Sequence, residues 1–351
     1  MTMSIQVEHR KISPELPPFF IAELSGNHNQ SLSRALEIVD AAADAGADAL
    51  KLQTYTADTI TLDLREREFF IDDPKSLWYG KSLYELYEEA YTPWDWHEPI
   101  FLRCRQRGLV PMSTPFDFSA VDFLEKFDLP AYKIASPENI DLPLINKVAA
   151  TGKPIIISTG MASFAELQDV VNTVHNTGNR QIILLKCTTA YPASPSSFNL
   201  KTIPDLAKKF GVLPGLSDHS KGIAVSIAAV SMGACVVEKH LTLRRDDGGV
   251  DSAFSLEPEE FAAMVKECKQ AWEAIGSVSY GPTESEIPSL RGRRSLYFSR
   301  DLQAGDALTP ENVRSIRPGL GLPPKHYNEV MGKKVKSAVT KGTPLSWNII
   351  A

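Results

Sequence analysis

Two short motifs near the end of the first three-quarters of the chain carry residues fit for chemistry. The first reads Gly215-Leu216-Ser217-Asp218-His219 and the second Val236-Val237-Glu238-Lys239-His240. Ser217 with His219, and Glu238 with His240, are spaced by two, which puts each pair on one face of an extended strand. Ile223 to Met232 is apolar and long enough for a short helix, and Gly233 follows it. The pattern is strand–helix–strand with a histidine at the end of each strand. In a parallel sheet such ends lie side by side, and the two imidazoles could share one divalent metal. Two hydrogen-bonded structural histidines would fit the same pattern, but the neighbouring carboxylates Asp218 and Glu238 favour a site.

The elements that must hold these motifs repeat along the chain. Short β-rich runs occupy Phe19–Ser25, Ala49–Tyr55, Leu109–Thr114, Ala131–Ser136, Pro154–Thr159, Gln181–Thr188, Val212–His219 and Ala234–His240. Helical segments such as Ser31–Ala45, Phe118–Phe127, Ser163–Asn176, Leu200–Phe210 and Pro258–Ile275 alternate with them. Eight such units match a (β/α)8 barrel. A doubly wound sheet is the competitor, but no G-x-G-x-x-G follows the first strand. Polar residues fall late in the strands, at Glu23 and Ser25, Lys51 and Gln53, Ser113 and Thr114, Lys133 and Ser136, Ser158 and Thr159, and Lys186 and Thr188. The two histidine motifs complete the set, as expected of a barrel mouth.

Lys51, Lys133 and Lys186 are expected to converge there with Thr114, Ser136, Ser158 and Ser217. Lysines among hydroxyls suit a ligand bearing phosphate and carboxylate, which would keep them protonated. Schiff-base chemistry would instead need an apolar pocket that lowers a lysine pKa. Glu23 and Glu238 are the acid/base candidates, with a salt bridge to a mouth lysine as the plain alternative for either. Ala57 to Gly80 is a long insertion with Phe69, Phe70, Trp78 and Tyr79; it could wall the mouth or pack on a neighbouring subunit.

The 351 residues exceed a usual single core, so a second, smaller domain is expected. We read residues 1–275 as the barrel with an N-terminal extension, 276–292 as a linker rich in Gly, Pro, Ser and Glu, and 293–351 as the small domain. The net charge of -6 speaks against a general nucleic-acid binder. Cys104, Cys187, Cys235 and Cys268 form no C-x-x-C pair and read as free thiols in a reducing cytoplasm. No signal-peptide pattern opens the chain, and the apolar run Ile223 to Val237 is shorter than the ~20 residues that span a bilayer.

The segments Ile21 to His28, Lys51 to Thr54, Ser113 to Phe116, Tyr132 to Ser136, Ser158 to Met161, Gly215 to His219 and Glu238 to His240 together resemble the sialic acid (nonulosonate) synthases. The tail, with Arg317-Pro318-Gly319, resembles their antifreeze-like SAF domain. The resemblance implies condensation of phosphoenolpyruvate with an open-chain hexose-derived aldehyde, phosphate leaving by C–O cleavage. It implies a divalent cation, manganese first and magnesium or cobalt as alternatives, held by His219 and His240. Lys51, Gln53, Thr114, Lys133, Ser136, Ser158 and Ser217 would bind phosphoenolpyruvate. Glu23 and Glu238 would do acid/base and water-positioning work. Tyr191, Asp251 and Arg317 would meet the sugar, Arg317 reaching across a domain-swapped homodimer. A cytoplasmic enzyme supplying a nonulosonate for cell-surface polysaccharide or flagellin is implied.

Local differences narrow the resemblance. Cys187-Thr188-Thr189 stands before Tyr191-Pro192, where N-acetylneuraminate synthases usually have Cys-Thr-Asn. With Leu24-Ser25-Gly26, Leu52, Tyr55, Leu83 to Tyr87 and Arg294 to Tyr297, the chain is most similar to the pseudaminic acid synthase branch. That branch takes 2,4-diacetamido-2,4,6-trideoxy-L-altrose, whose C6 methyl calls for an apolar lining. N-acetylneuraminate and legionaminate synthases are the alternatives within the family. A Schiff-base aldolase, a barrel hydrolase, or a non-catalytic sugar- or ice-binding protein are those outside it.

Overall fold

The computed structural model describes residues 3–351, in two compact units that meet between Gly276 and Ser277. The first unit opens with a hairpin of β1 (Ile5–Val7) and β2 (Arg10–Ile12). Eight parallel strands follow: β3 (Phe19–Glu23), β4 (Ala49–Thr54), β5 (Val110–Pro115), β6 (Tyr132–Ile134), β7 (Ile155–Ser158), β8 (Ile182–Cys187), β9 (Leu213–Asp218) and β10 (Val236–His240). They pair in sequence order, and β10 closes the ring on β3. This is the closed (β/α)8 barrel expected from the sequence.

Around it run α1 (Leu32–Asp44), α2 (Ala57–Ile60), α3 (Leu83–Ala90), α4 (His97–Gln106), α5 (Phe118–Leu124), α6 (Leu142–Ala149), α7 (Phe164–Asn176), α8 (Thr202–Phe210), α9 (Ala224–Ser231) and α10 (Pro258–Ile275). Their sequences explain where they begin and which face they bury. In α7 the Ser163 hydroxyl accepts from the Glu166 amide and the Glu166 carboxylate accepts from the Ser163 amide. Leu167, Val170, Val171 and Val174 then fall on one buried face at helical spacing. Helix α8 ends at Gly211, whose φ of 63° is the left-handed cap that glycine adopts without steric cost. Helix α9 buries Val225, Ser226, Ala229 and Val230 and exposes the small residues Ala224, Ala228 and Ser231, so it carries no charged face.

Strand alternation divides the barrel into two cores. Phe20, Ala22, Leu50, Leu52, Ile155, Ile157, Ile182 and Leu184 face the helices. Phe19, Ile21, Ala49, Val110, Met112, Ile156, Ile183, Leu185, Leu213 and Val236 fill the interior. Ile5, Val7 and Ile12 join that interior cluster, so the β1–β2 hairpin plugs the end where the strands begin. The apolar interior stops at a polar layer where the strands end.

His97 gives the barrel a pH-sensitive support. Its Nε2 lies 2.8 Å from Thr54 Oγ1 and its ring stands edge-on to Phe101 and Phe123. Burial pushes its pKa down to about 4, against backbone contacts at Pro93 and Trp94 that pull the other way. The folded state therefore holds this imidazole neutral, while an unfolded chain protonates it near the ordinary 6.5. Its contribution is intact above that value and is lost as pH falls towards 4. The loss should reach ~3 kcal/mol. Urea melts at pH 7 and pH 4.5 should show it, and His97→Gln should flatten the dependence.

The second unit contains a 3-10 run at Glu284–Gly292, then β11 (Ser295–Phe298), antiparallel to β12 (Val313–Ile316), and a short helix α11 (Tyr327–Val330). Leu296, Phe298, Leu308, Val313, Val330, Val335 and Leu345 form its own core. No helix among the described residues is long and apolar enough to cross a membrane. All four cysteines are free and buried.

Candidate active site

The polar layer at the strand ends assembles most of the residues read from the sequence. Glu23, Lys51, Gln53, Lys133, Ser136, Ser158, Ser217, Glu238, Tyr191, His219 and His240 border one small hollow. Thr114 joins it through Lys51, whose Nζ donates to Thr114 Oγ1 at 3.1 Å and sits 2.5 Å from the Glu23 carboxylate. Gln53 Nε2 donates to Glu23 Oε1 at 2.9 Å. Across the hollow, Lys133 Nζ donates to Ser158 Oγ at 2.7 Å and lies 3.5 Å from Glu238 Oε1. Ser217 Oγ donates to the same Glu238 oxygen at 3.3 Å. Ser136 Oγ accepts from the Gly160 amide, and Asn139 Nδ2 donates to the Ser158 and Gly160 carbonyls. That loop is tight enough that a Cβ on Gly160 would collide with Ser136 and Thr189.

Two lysines and two glutamates packed this deeply cannot all behave as in water. Burial raises the Glu23 pKa, with Lys51 opposing. Burial would also raise Glu238, but Lys133, Lys51 and His219 outweigh it and hold the carboxyl below its ordinary value. Two carboxyls at one mouth with proton affinities pushed apart are arranged for separate acid and base roles. Lys133 is lowered by burial, whereas Glu23 and Glu238 overcome that effect at Lys51 and raise it.

The histidine pair stands beside this cup, ring centroids 5.5 Å apart. His219 Nδ1 lies 3.0 Å from the Thr188 carbonyl, which fixes a proton on that nitrogen, so Nε2 is the nitrogen a metal would take in place of a second proton. His240 Nδ1 is buried without a hydrogen-bond partner, with the Asp251 carboxylate 4.0 Å away. Two such nitrogens fit a divalent cation that takes its other ligands from water and substrate. Among the described residues no group of three or more His, Cys, Asp or Glu gathers for a metal. Tyr191 packs on His219 at 4.4 Å and on Phe254 at 5.0 Å. Asp251 is hydrogen-bonded by Ser25 Oγ, and burial raises its pKa. Arg317 belongs to the second unit, where it follows β12 and begins a cis peptide with Pro318.

Strand parity corrects part of the sequence reading. Lys186 does not face the mouth; it shares the outward parity of Leu184, and its Nζ donates to the Cys187 carbonyl. Cys187 faces inward instead, its Sγ 3.8 Å from His219 Nδ1. Burial would raise this thiol, but His219, Ser136 and Lys133 bring it to about 7. The alternation that pairs Ser217 with His219 could have found Cys187. Ser113 likewise turns outward, to Thr54 and the Leu52 carbonyl.

Asp218 also points away from the mouth. It forms a fully buried 2.9 Å ion pair with Lys239 and accepts from Ser226 Oγ and the Ser220 amide. This pair locks β9 to β10 behind the two histidines. Lys239→Leu would strand the Asp218 charge and should cost ~3–5 kcal/mol, read as a fall in urea midpoint. Lys239→Leu with Asp218→Asn together should recover much of it.

A wider cavity of ≈ 580 Å3 opens beside the reaction centre and shares Gln53, Tyr191 and His240 with it. Asp251 and Glu138 also line it, and the insertion supplies Ile60, Ile71 and Trp78. Trp78 Nε1 donates to the Val250 carbonyl, and its ring lies 5.9 Å from Tyr191, so this insertion walls the mouth of its own barrel. A larger hollow of ≈ 790 Å3 lies between Ser13–Leu16, Gly233 and the end of α10, and no proposed site residue borders it.

With this fold and mouth, the chain belongs to the NeuB family, which it matches over residues 38–280, and residues 293–351 match the SAF domain. The pseudaminic acid synthase of Campylobacter jejuni subsp. jejuni serotype O:23/36 is 43% identical over 327 residues, covering 93% of this chain and 95% of that protein. The pseudaminic acid synthase of Helicobacter pylori is 43% identical over 331 residues, 94% of this chain and 97% of that one. Among solved structures, the N-acetylneuraminic acid synthetase of Leptospira borgpetersenii superposes with a TM-score of 0.74 at 30% identity, covering 83% of this chain and 96% of that chain.

Proposed function

We propose that this chain is a pseudaminic acid synthase, condensing phosphoenolpyruvate with 2,4-diacetamido-2,4,6-trideoxy-L-altrose to give pseudaminate and phosphate. The observation that carries the reading is the buried cup of Lys51–Thr114 and Lys133–Ser158 beside the His219/His240 pair. The two synthases at 43% identity supply the substrate class. An N-acetylneuraminate synthase is the second reading, favoured by the likeness to the Leptospira enzyme.

The lysines and hydroxyls would hold the phosphate and carboxylate of phosphoenolpyruvate and orient its C3 towards the sugar aldehyde. Gln53 would steady Glu23, and Ser136, fixed by the Gly160 amide, would complete the anion site. A divalent cation, manganese first, would be held by His219 and His240 and would polarise the aldehyde as a Lewis acid. C3 of phosphoenolpyruvate forms the new C–C bond to the aldehyde carbon while Glu23 protonates the aldehyde oxygen. Glu238, held ionised by its lysines, orients water onto C2 and takes its proton. The C2–O bond to phosphate then breaks, phosphate leaves with its bridging oxygen and takes up the proton of the C2 hydroxyl, and C2 becomes the ketone. Asp251 and Tyr191 would contact the sugar, and Arg317 would reach the mouth from the partner subunit of a domain-swapped homodimer. The cytoplasm, where phosphoenolpyruvate is found and free thiols persist, is the compartment this reading assigns.

Phosphate release is the test, measured with purified protein, phosphoenolpyruvate, manganese and a panel of hexosamine derivatives. The reading requires release with the altrose derivative, dependent on both substrates and abolished by a chelator. Release with N-acetylmannosamine and none with the altrose derivative would replace it by the second reading.

A further inference from the structure

The insertion after β4 and the loop after β6 meet across the ≈ 580 Å3 cavity. One stretch of its wall is aliphatic, with Ile60 and Ile71 of the insertion and Leu83 and Leu86 of α3, beside the rings of Trp78 and Tyr87. On the other side stands Glu138, whose Oε2 is buried and has no hydrogen-bond partner. An unsatisfied carboxyl oxygen in a largely apolar cavity costs free energy unless a ligand supplies a donor. The pairing of such an acceptor with a greasy wall points to a ligand that carries both an N–H and a methyl group.

We propose that this cavity is the specificity pocket of the enzyme: the aliphatic wall takes the C6 methyl of the sugar, and Glu138 binds the N–H of its C4 acetamido group. The inference rests on the pseudaminate reading above. An open-chain sugar has its aldehyde at C1 and its C6 at the opposite end. With C1 and the adjacent C2 acetamido group at the histidines, C4 and C6 extend into the part of the cavity built by the insertion. Burial lifts the Glu138 carboxyl to about 7, against its own backbone amide and Lys133. Near neutrality one oxygen can accept the amide N–H while a protonated fraction gives its O–H to the amide carbonyl. Tyr87, raised by burial and by Glu138, borders the same cavity. A hydroxyl at C6 would instead be stripped of water against Ile71 and Leu83 with no acceptor there among the cavity's aliphatic residues. Neither Ile71 nor Glu138 belongs to the phosphoenolpyruvate cup.

The test compares wild type, Ile71→Asn, Glu138→Leu and Glu138→Gln on the 6-deoxy diacetamido sugar, its 6-hydroxy counterpart and an analogue N-methylated at the C4 amide. Ile71→Asn should shift the kcat/KM ratio of 6-deoxy over 6-hydroxy sugar about tenfold towards the hydroxy sugar. Glu138→Leu should raise the sugar KM about tenfold or more and change the phosphoenolpyruvate KM far less, only through the charge it shares with Lys133 and Lys51. Glu138→Gln, whose amide carbonyl still accepts, should restore part of it. N-methylation should penalise the wild type and have little further effect on Glu138→Leu. Unchanged ratios and an equal N-methyl penalty in both proteins would overturn the proposal. Should the variants not fold by circular dichroism, the analogues decide on the wild type alone: equal turnover of all three sugars overturns the pocket, and a tenfold preference for the unmodified one supports it. Wild type that releases no phosphate with any of these sugars would instead overturn the function proposed above.

Discussion

Replacing Lys133 by Met should lower kcat/KM for phosphoenolpyruvate by a hundredfold or more while the barrel stays folded. Methionine keeps most of the length of the side chain and removes the ammonium group that donates to Ser158 at 2.7 Å. A preorganised donor aimed at developing charge is worth ~3 kcal/mol or more in a site shielded from water, which sets the size of the loss. A second consequence separates this effect from simple weak binding. Lys133 is the foremost charge opposing the burial of Glu238. Without it the Glu238 carboxyl gains proton affinity, so the fraction ionised at mildly acidic pH falls. The acid limb of the kcat profile should therefore move to higher pH in Lys133→Met. A variant within tenfold of wild type, with an unmoved acid limb, would show that the lysine cup does not hold the reacting anion.

His219→Ala and His240→Ala should each abolish manganese binding at the mouth and lower turnover by about a thousandfold, as loss of several kcal/mol of Lewis-acid stabilisation requires. The variants differ in what they disturb. His219 is anchored to the Thr188 carbonyl and touches Cys187, whereas His240 has no hydrogen-bond partner at Nδ1. His240→Ala should thus leave the urea midpoint near wild type, and His219→Ala should lower it modestly. Calorimetric titration with manganese checks binding apart from activity. Undiminished binding in both variants would move any metal away from these rings.

Much of this arrangement can be read in the sequence because a barrel strand announces itself. Runs such as Ile155-Ile156-Ile157-Ser158 are apolar on both faces and turn polar only where they emerge, so the strands and their mouth ends are both visible. The histidine motifs are legible because period-two spacing and strand–helix–strand length fix their neighbours. Which of two adjacent polar residues points inward is harder. Lys186 and Cys187 exchange places in the reading because a lysine draws attention as chemistry and a cysteine as packing, although parity with Leu185 decides for Cys187. Asp218 looks like a second carboxylate of the site for the same reason, and its true partner, Lys239, lies on a different strand. The β1–β2 hairpin is missed because three-residue strands carry no periodic signal. Glu138 leaves no trace in the sequence, since the unpartnered oxygen that singles it out is visible only once the cavity is formed.

If the lysines and hydroxyls of the mouth hold phosphoenolpyruvate for C–C bond formation, phosphate leaves with its bridging oxygen. Phosphoenolpyruvate labelled with 18O at that oxygen, turned over with the altrose derivative and manganese, tests this most directly. Mass spectrometry should find the label in the released phosphate, with the new ketone oxygen drawn from solvent. Label retained in the sugar acid, or a borohydride-trapped adduct on Lys51 or Lys133, would mean that these lysines do other chemistry.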